Sequence, residues 1–136
     1  MRPRRLQSAL FLALAVAPAA CQKTAVYCPP PPTSGCPDGG SPSFANDVYP
    51  NVIVPVCVGC HSPDGGESSK PFLSYQEIYG KNGTEAETIR TNVFYTCVMP
   101  PSGAPKTLTD DQRQTLWDWL ACGAPNDPAA DGGAGD

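Results

Sequence analysis

The sequence predicts a small all-α domain of about four helices. Apolar residues recur at helical spacing in four stretches, residues that favour helix starts stand in front of them, and no alternating apolar/polar run survives as a strand. Only residues 43–125 of the 136-residue chain read as this domain. The two ends read differently.

Met1-Arg2-Pro3-Arg4-Arg5 is basic, Leu6 to Ala17 is apolar but too short to span a bilayer, and Ala17, Ala19 and Ala20 precede Cys21. Residues 1–20 are therefore expected to be a secretory signal peptide of the lipoprotein type. Pro18-Ala19-Ala20-Cys21 looks like a bacterial lipobox, with Pro where a branched apolar residue is usual, so lipidation is expected at Cys21. The alternative is simple cleavage, leaving Cys21 as a thiol or in a disulfide. Residues 21–42, with Pro29 to Pro32, read as a Pro/Gly-rich tether off a membrane, and residues 126–136 as a disordered tail.

Within the domain, Ser43 is placed to cap a helix over Phe44 to Val54, with Phe44, Val48, Val52 and Tyr49 facing inward. Pro50 either kinks it or opens a second short helix toward Cys57, and Pro55 limits its continuation. Ser62 to Pro71 is turn chemistry throughout and reads as a surface loop. Ser74 can cap Tyr75 to Tyr79, with Gly80 as the stop, and Thr84-Glu85-Ala86-Glu87 reads as a capping box leading into Ile89 and Val93. In the last helix Thr109 and Gln112 form a second capping box, Leu116, Trp117 and Leu120 make the apolar stripe, and Gly123 and Pro125 close it.

The chemistry concentrates in Cys57-Val58-Gly59-Cys60-His61. C-x-x-C-H is the pattern that attaches a c-type haem, with Cys57 and Cys60 forming thioethers and His61 as the proximal iron ligand. A thioredoxin-like C-x-x-C would want a βαβ setting, and a zinc site would want four convergent ligands; a plain disulfide is the remaining competitor. His61 is the only histidine, and Met99 the only methionine besides Met1. Met99 sits in Cys97-Val98-Met99-Pro100-Pro101, where two prolines restrict the loop and suit it to present a thioether at a fixed point. Met99 is therefore the expected sixth ligand, against the plainer reading of a core gap-filler.

Seven cysteines support an exported, oxidising setting. If Cys21 takes lipid and Cys57 and Cys60 take haem, four remain for two disulfides. Cys28 with Cys36 and Cys97 with Cys122 are the expected pairs, although the sequence leaves three connectivities open. Without residues 1–20, which hold three of the nine basic residues and no acidic one, six basic face thirteen acidic residues, a formal charge of −7. That excess argues against nucleic acid and favours a basic docking partner.

Phe44 with Asp47-Val48-Tyr49-Pro50, the C-x-x-C-H pentapeptide, Met99-Pro100-Pro101 and Trp119-Leu120-Ala121-Cys122-Gly123-Ala124-Pro125 together resemble the small class I c-type cytochromes, particularly the cytochrome-c domains of bacterial envelope lipoproteins. The resemblance covers about residues 44–125. It implies an all-α fold in which the first and last helices cross, one haem c in a crevice, and His61 and Met99 on its iron. It also implies that His61 donates its other ring N–H to a backbone carbonyl in the following loop, from Pro71 or a neighbour. Pro55 departs from the continuous helix that such a fold leads one to expect before the motif.

The expected function is thus an exported monohaem electron carrier of the periplasm or cell envelope, a monomer that is no enzyme itself. It would meet redox partner proteins there and touch membrane only through a lipid on Cys21. The alternatives are a haem peroxidase or a gas or redox sensor with a displaceable sixth ligand, and a haem-free disulfide-rich or zinc-binding structural lipoprotein.

Overall fold

A computed structural model of the chain describes residues 28–33 and 35–127. The proposed signal peptide, the lipidation site Cys21 and residues 128–136 lie outside the described residues. Every regular element among those described is helical. In order they are a wide opening helix (Phe44–Cys57), α1 (Tyr75–Tyr79), a tight turn (Lys81–Gly83), α2 (Thr84–Arg90) continued by a wide turn (Thr91–Tyr95), and α3 (Asp110–Ala121).

The opening helix starts as the sequence predicts. Ser43 accepts from the Asn46 amide at 3.0 Å, and the Asp47 carboxylate accepts from the Ser43 amide at 2.8 Å. A second carboxylate comes from the far end of the chain: Asp127 accepts from the Ser43 hydroxyl at 2.6 Å and from the Ala45 amide at 2.9 Å. The ordered chain therefore runs past residue 125, because Asp127 satisfies a first-turn N–H that would otherwise have no intrahelical partner.

Neither Pro50 nor Pro55 ends this helix, which runs to Cys57. It is wound more loosely than an α-helix: the Val48 amide reaches the Ser43 carbonyl at 3.0 Å and the Val58 amide the Ile53 carbonyl at 3.1 Å, five residues back. In α winding the two prolines would deprive the carbonyls of Asn46 and Asn51 of their donors. Each receives a side-chain amide here, the Asn46 carbonyl from Asn51 at 3.2 Å and the Asn51 carbonyl from Gln112 of α3 at 2.6 Å.

The core lies where the opening helix crosses α3. Phe44, Val48, Val52 and Ile53 meet Leu116, Trp119 and Leu120, with Ile78, Ile89, Val93 and Phe94 closing the far side. Trp119 is fully buried, its ring 5.6 Å from that of Phe44 and its indole N–H on the Pro125 carbonyl at 2.8 Å. The expected stripe of Leu116, Trp117 and Leu120 is corrected at one position. Residues 116, 119 and 120 share a face, whereas Trp117, a hundred degrees or so round the helix, stands half-buried against Phe94 at 5.1 Å.

The helix starts divide. Thr109 and Gln112 form both halves of a capping box, and Ser74 caps α1 by accepting from the Glu77 amide at 3.3 Å. The box expected at Thr84 does not form. Thr84 is already inside the helix behind Gly83 (φ 78°), and its hydroxyl donates to the Lys81 carbonyl at 2.9 Å.

The disulfides join Cys28 to Cys97 and Cys36 to Cys122, not Cys28 to Cys36 and Cys97 to Cys122. A proline run resists folding back: eight extended residues span about 25 Å, against a Cα separation of about 5.5 Å in a disulfide. The described residues 28–33, 35 and 36 are accordingly a strap fastened at both ends to the helical domain, in place of the spacer closed on itself by an expected Cys28–Cys36 bond. The two bonds close loops 69 and 86 residues apart in sequence and are worth about 4 to 5 kcal/mol each on the chain-entropy estimate.

Candidate functional site

The opening helix delivers Cys57 at its last turn, and the chain tightens at once into the motif. The amides of Cys60 and His61 both bond the Cys57 carbonyl, at 3.1 and 2.9 Å. The following loop is closed by short-range bonds, among them Glu67 amide to Cys60 carbonyl at 3.0 Å. Gly65 lies so close to the Cys60 carbonyl that a Cβ there would overlap it. The loop then returns to the histidine, with the Phe72 amide on the His61 carbonyl at 2.9 Å.

Two contacts fix the imidazole. Its Nδ1 stands 2.9 Å from the Lys70 carbonyl, and its ring lies parallel to that of Phe72 at 4.1 Å, 7° between planes. A carbonyl only accepts, so Nδ1 carries the proton in that bond and the lone pair of the neutral ring is on Nε2. The partner carbonyl is thus Lys70, the neighbour of Pro71. Its identity has no signature in the sequence, because any residue supplies a carbonyl.

His61 faces a cleft whose enclosed volume is about 100 Å³, below the roughly 300–1,000 Å³ of small-molecule and cofactor sites. Cys57, Cys60, His61 and Phe72 line one side, with Ile53 and Val56 from the opening helix. Ile89, Asn92 and Val93 follow from α2 and its wide turn, then Met99, Pro100, Pro101, Leu108 and Leu116, while Glu67, Lys70, Glu85 and Thr88 add a polar part to the lining. His61 and Met99, 38 residues apart in sequence, therefore border one space. Met99 is hung by its own amide from the Asn92 carbonyl at 3.1 Å.

Comparison with protein-family models, curated proteins and solved structures finds no match.

In chemistry the lining residues fit a flat, mostly apolar metal macrocycle, although the cleft has to open to admit one. An imidazole lone pair and a soft thioether are both available, and the rest of the lining is largely aliphatic and aromatic. Cys57 is a free thiol, its pKa pushed up to about 12 by burial. Cys60 is a half-cystine instead. One sulfur cannot hold both a disulfide and a thioether, so the expected attachment at Cys60 needs that disulfide opened first. The competing C-x-x-C readings gain little: among the described residues there is no strand for a βαβ setting and no group of three or more His, Cys, Asp or Glu side chains able to hold a metal ion.

Beyond the motif, the sequence reading missed Phe72, Asn92 and Leu108, and it left the His61 partner open between Pro71 and its neighbours, where the structure has Lys70. Phe72 had one signal, a large apolar residue immediately after a loop of turn formers. Asn92 contributes a backbone oxygen and had none.

Proposed function

We propose that the protein is an exported monohaem c-type cytochrome, an electron carrier of the cell envelope with the class I arrangement of His61 and Met99 as axial ligands. The observation that carries this reading is that a C-x-x-C-H histidine, oriented through Nδ1 by the Lys70 carbonyl, and the only methionine besides Met1 border the same apolar cleft.

Cys57 and Cys60 would hold the haem c covalently, and His61 Nε2 and the Met99 sulfur would hold its iron. The group would supply a one-electron Fe(III)/Fe(II) couple, at a potential that a Met ligand would raise. The chain's part is to keep that centre fixed and dry. The Lys70 carbonyl and the Phe72 ring orient the imidazole, and Ile53, Ile89, Val93 and Leu116 keep water from its inner side. Two disulfides and the lack of any helix long and apolar enough to cross a membrane, among the described residues, are compatible with export. The acidic surface suits a basic redox partner.

The test is to export the full chain alongside a cytochrome c maturation system, then record its intact mass and its reduced-minus-oxidised spectrum. Added haem mass and a c-type spectrum are expected; a chain that leaves the cell without haem sinks the reading. Met99→Ala should keep the haem while lowering the potential and admitting carbon monoxide to the reduced iron, and an unchanged potential would mean that another ligand is used.

One observation favours a second reading. Cys60 in a disulfide, beside Cys28–Cys97 and Cys36–Cys122, also suits a haem-free, disulfide-stabilised envelope lipoprotein. That reading predicts an intact mass reduced only by disulfide hydrogens and, where present, shifted by lipid.

A further inference from the structure

Met99 is held both from inside the helical domain and from the strap outside it. Its amide hangs from Asn92, and two residues earlier Cys97 is bonded to Cys28 at the start of the strap, with the two Cα atoms 5.3 Å apart. Cys97 is buried and has φ 50°, a left-handed conformation that costs a side-chain-bearing residue about 1 kcal/mol or more and persists only where its surroundings enforce it.

A second grip acts beside it. Arg113 of α3 donates to the strap carbonyls of Pro29 and Pro30, at 3.1 and 3.4 Å, and to the Val93 carbonyl at 3.4 Å. Its guanidinium also lies over the Phe94 ring at 4.8 Å. One planar cation therefore fastens α3 to the strap and to the wide turn that carries Asn92.

We propose that the strap 28–36 is a positioning element for Met99, acting through the Cys28–Cys97 bond and the Arg113 clamp. Proline stiffness is what makes the strap suitable. A flexible segment bonded at Cys28 would hold Cys97 loosely, whereas Pro29 to Pro32 restrict φ directly beside Cys28 and keep the Pro29 and Pro30 carbonyls on Arg113. Three points on α3, the strap and the wide turn then define where the Met99 thioether stands. The inference deepens the electron-carrier reading, since a thioether that must meet an iron has to be presented at a fixed distance from His61, but its structural content does not need a haem.

The experiment is amide hydrogen exchange on the full chain, with and without haem, comparing wild type, the double variant Cys28→Ser/Cys97→Ser, and Arg113→Gln, which keeps both disulfides. The Met99 amide should exchange about tenfold faster in Arg113→Gln while core amides such as Val52 and Leu120 keep their protection; in the double variant, where loss of the cross-link lowers global stability as well, the Met99 amide should lose its protection at urea concentrations that still leave the core amides protected. Arg113→Lys should restore part of the difference by keeping one donor. In haem-loaded chains the same variants should lose Met ligation at lower temperature and lower pH than wild type. Unchanged exchange at Met99 in Arg113→Gln, equal acceleration at every amide in that variant, or loss of Met99 and core protection at the same urea concentration in the double variant overturns the proposal. A chain that never takes haem but shows the selective loss at Met99 keeps the positioning role and removes the electron-carrier reading alone.

Discussion

The opening helix and α3 cross to form the same core, yet they are stabilised by different rules. α3 carries its own instructions: Thr109 and Gln112 close its first turn, Asp110 and Asp111 sit at its positive end, and it contains no proline. The opening helix contains two prolines, winds more widely, and borrows donors and acceptors from elsewhere, the Gln112 amide on the Asn51 carbonyl and the Asp127 carboxylate on the Ala45 amide. A self-sufficient helix can be recognised from a dozen residues. A dependent one can be understood only with its partners in place, and here it is the dependent helix that ends on Cys57.

The largest effect should come from the residue both helices share. Trp119→Ala removes the ring packed on Phe44 and is expected to cost about 3 to 5 kcal/mol in urea unfolding, enough to abolish a stable fold. Gln112→Ala comes next at about 2 kcal/mol, since it strips half of the α3 capping box and leaves the Asn51 carbonyl without its side-chain donor. A backbone N–H supplied by Pro55→Ala lets that turn tighten to α winding and serve the Asn51 carbonyl, recovering part of that loss, so a double-mutant cycle should show coupling of about 1 kcal/mol. Strictly additive effects would mean that Gln112 matters to α3 alone. Thr109→Ala, which touches only the self-sufficient helix, should cost about 1 kcal/mol and leave amide exchange in the opening helix unchanged.

The smallest effect is confined to acid. The Asp127 carboxyl is held below the usual carboxylate range by the Ser43 hydroxyl and then by the Ala45 amide. A depressed folded pKa adds stability above the unfolded value of about 3.9, and that stability is lost as pH falls through the lower folded pKa. The melting temperature of wild type should therefore exceed that of Asp127→Asn near neutrality, and the gap should close toward pH ~2. A gap independent of pH would mean that the carboxylate charge is irrelevant.

What was legible in the sequence divides along the same line. Ser43, Ser74 and the Thr109/Gln112 box act within four residues and could be read directly. The box at Thr84 failed because a left-handed pair, Asn82 and Gly83, had already turned the chain into the helix. Trp117 and Trp119 are two residues apart, and only packing on Phe44 decides which is buried. At the site, unique residue types made His61 and Met99 conspicuous, whereas the carbonyls of Lys70 and Asn92 that orient them carry no residue-specific mark. The disulfide partners were the least legible, since pairing depends on how the whole chain returns to the strap.

The Cys36–Cys122 bond has a mechanical consequence. A chain held at its N-terminal end and pulled at its C-terminal end would pass tension along the strap to Cys36, across the sulfur bridge, and out at Cys122. Residues 37–121, with both helices of the core and the whole cleft, lie off that shortest covalent path. The load would fall on a bond that does not yield to ordinary thermal forces, and the fold behind it would hang slack, like a pendant on a taut cord.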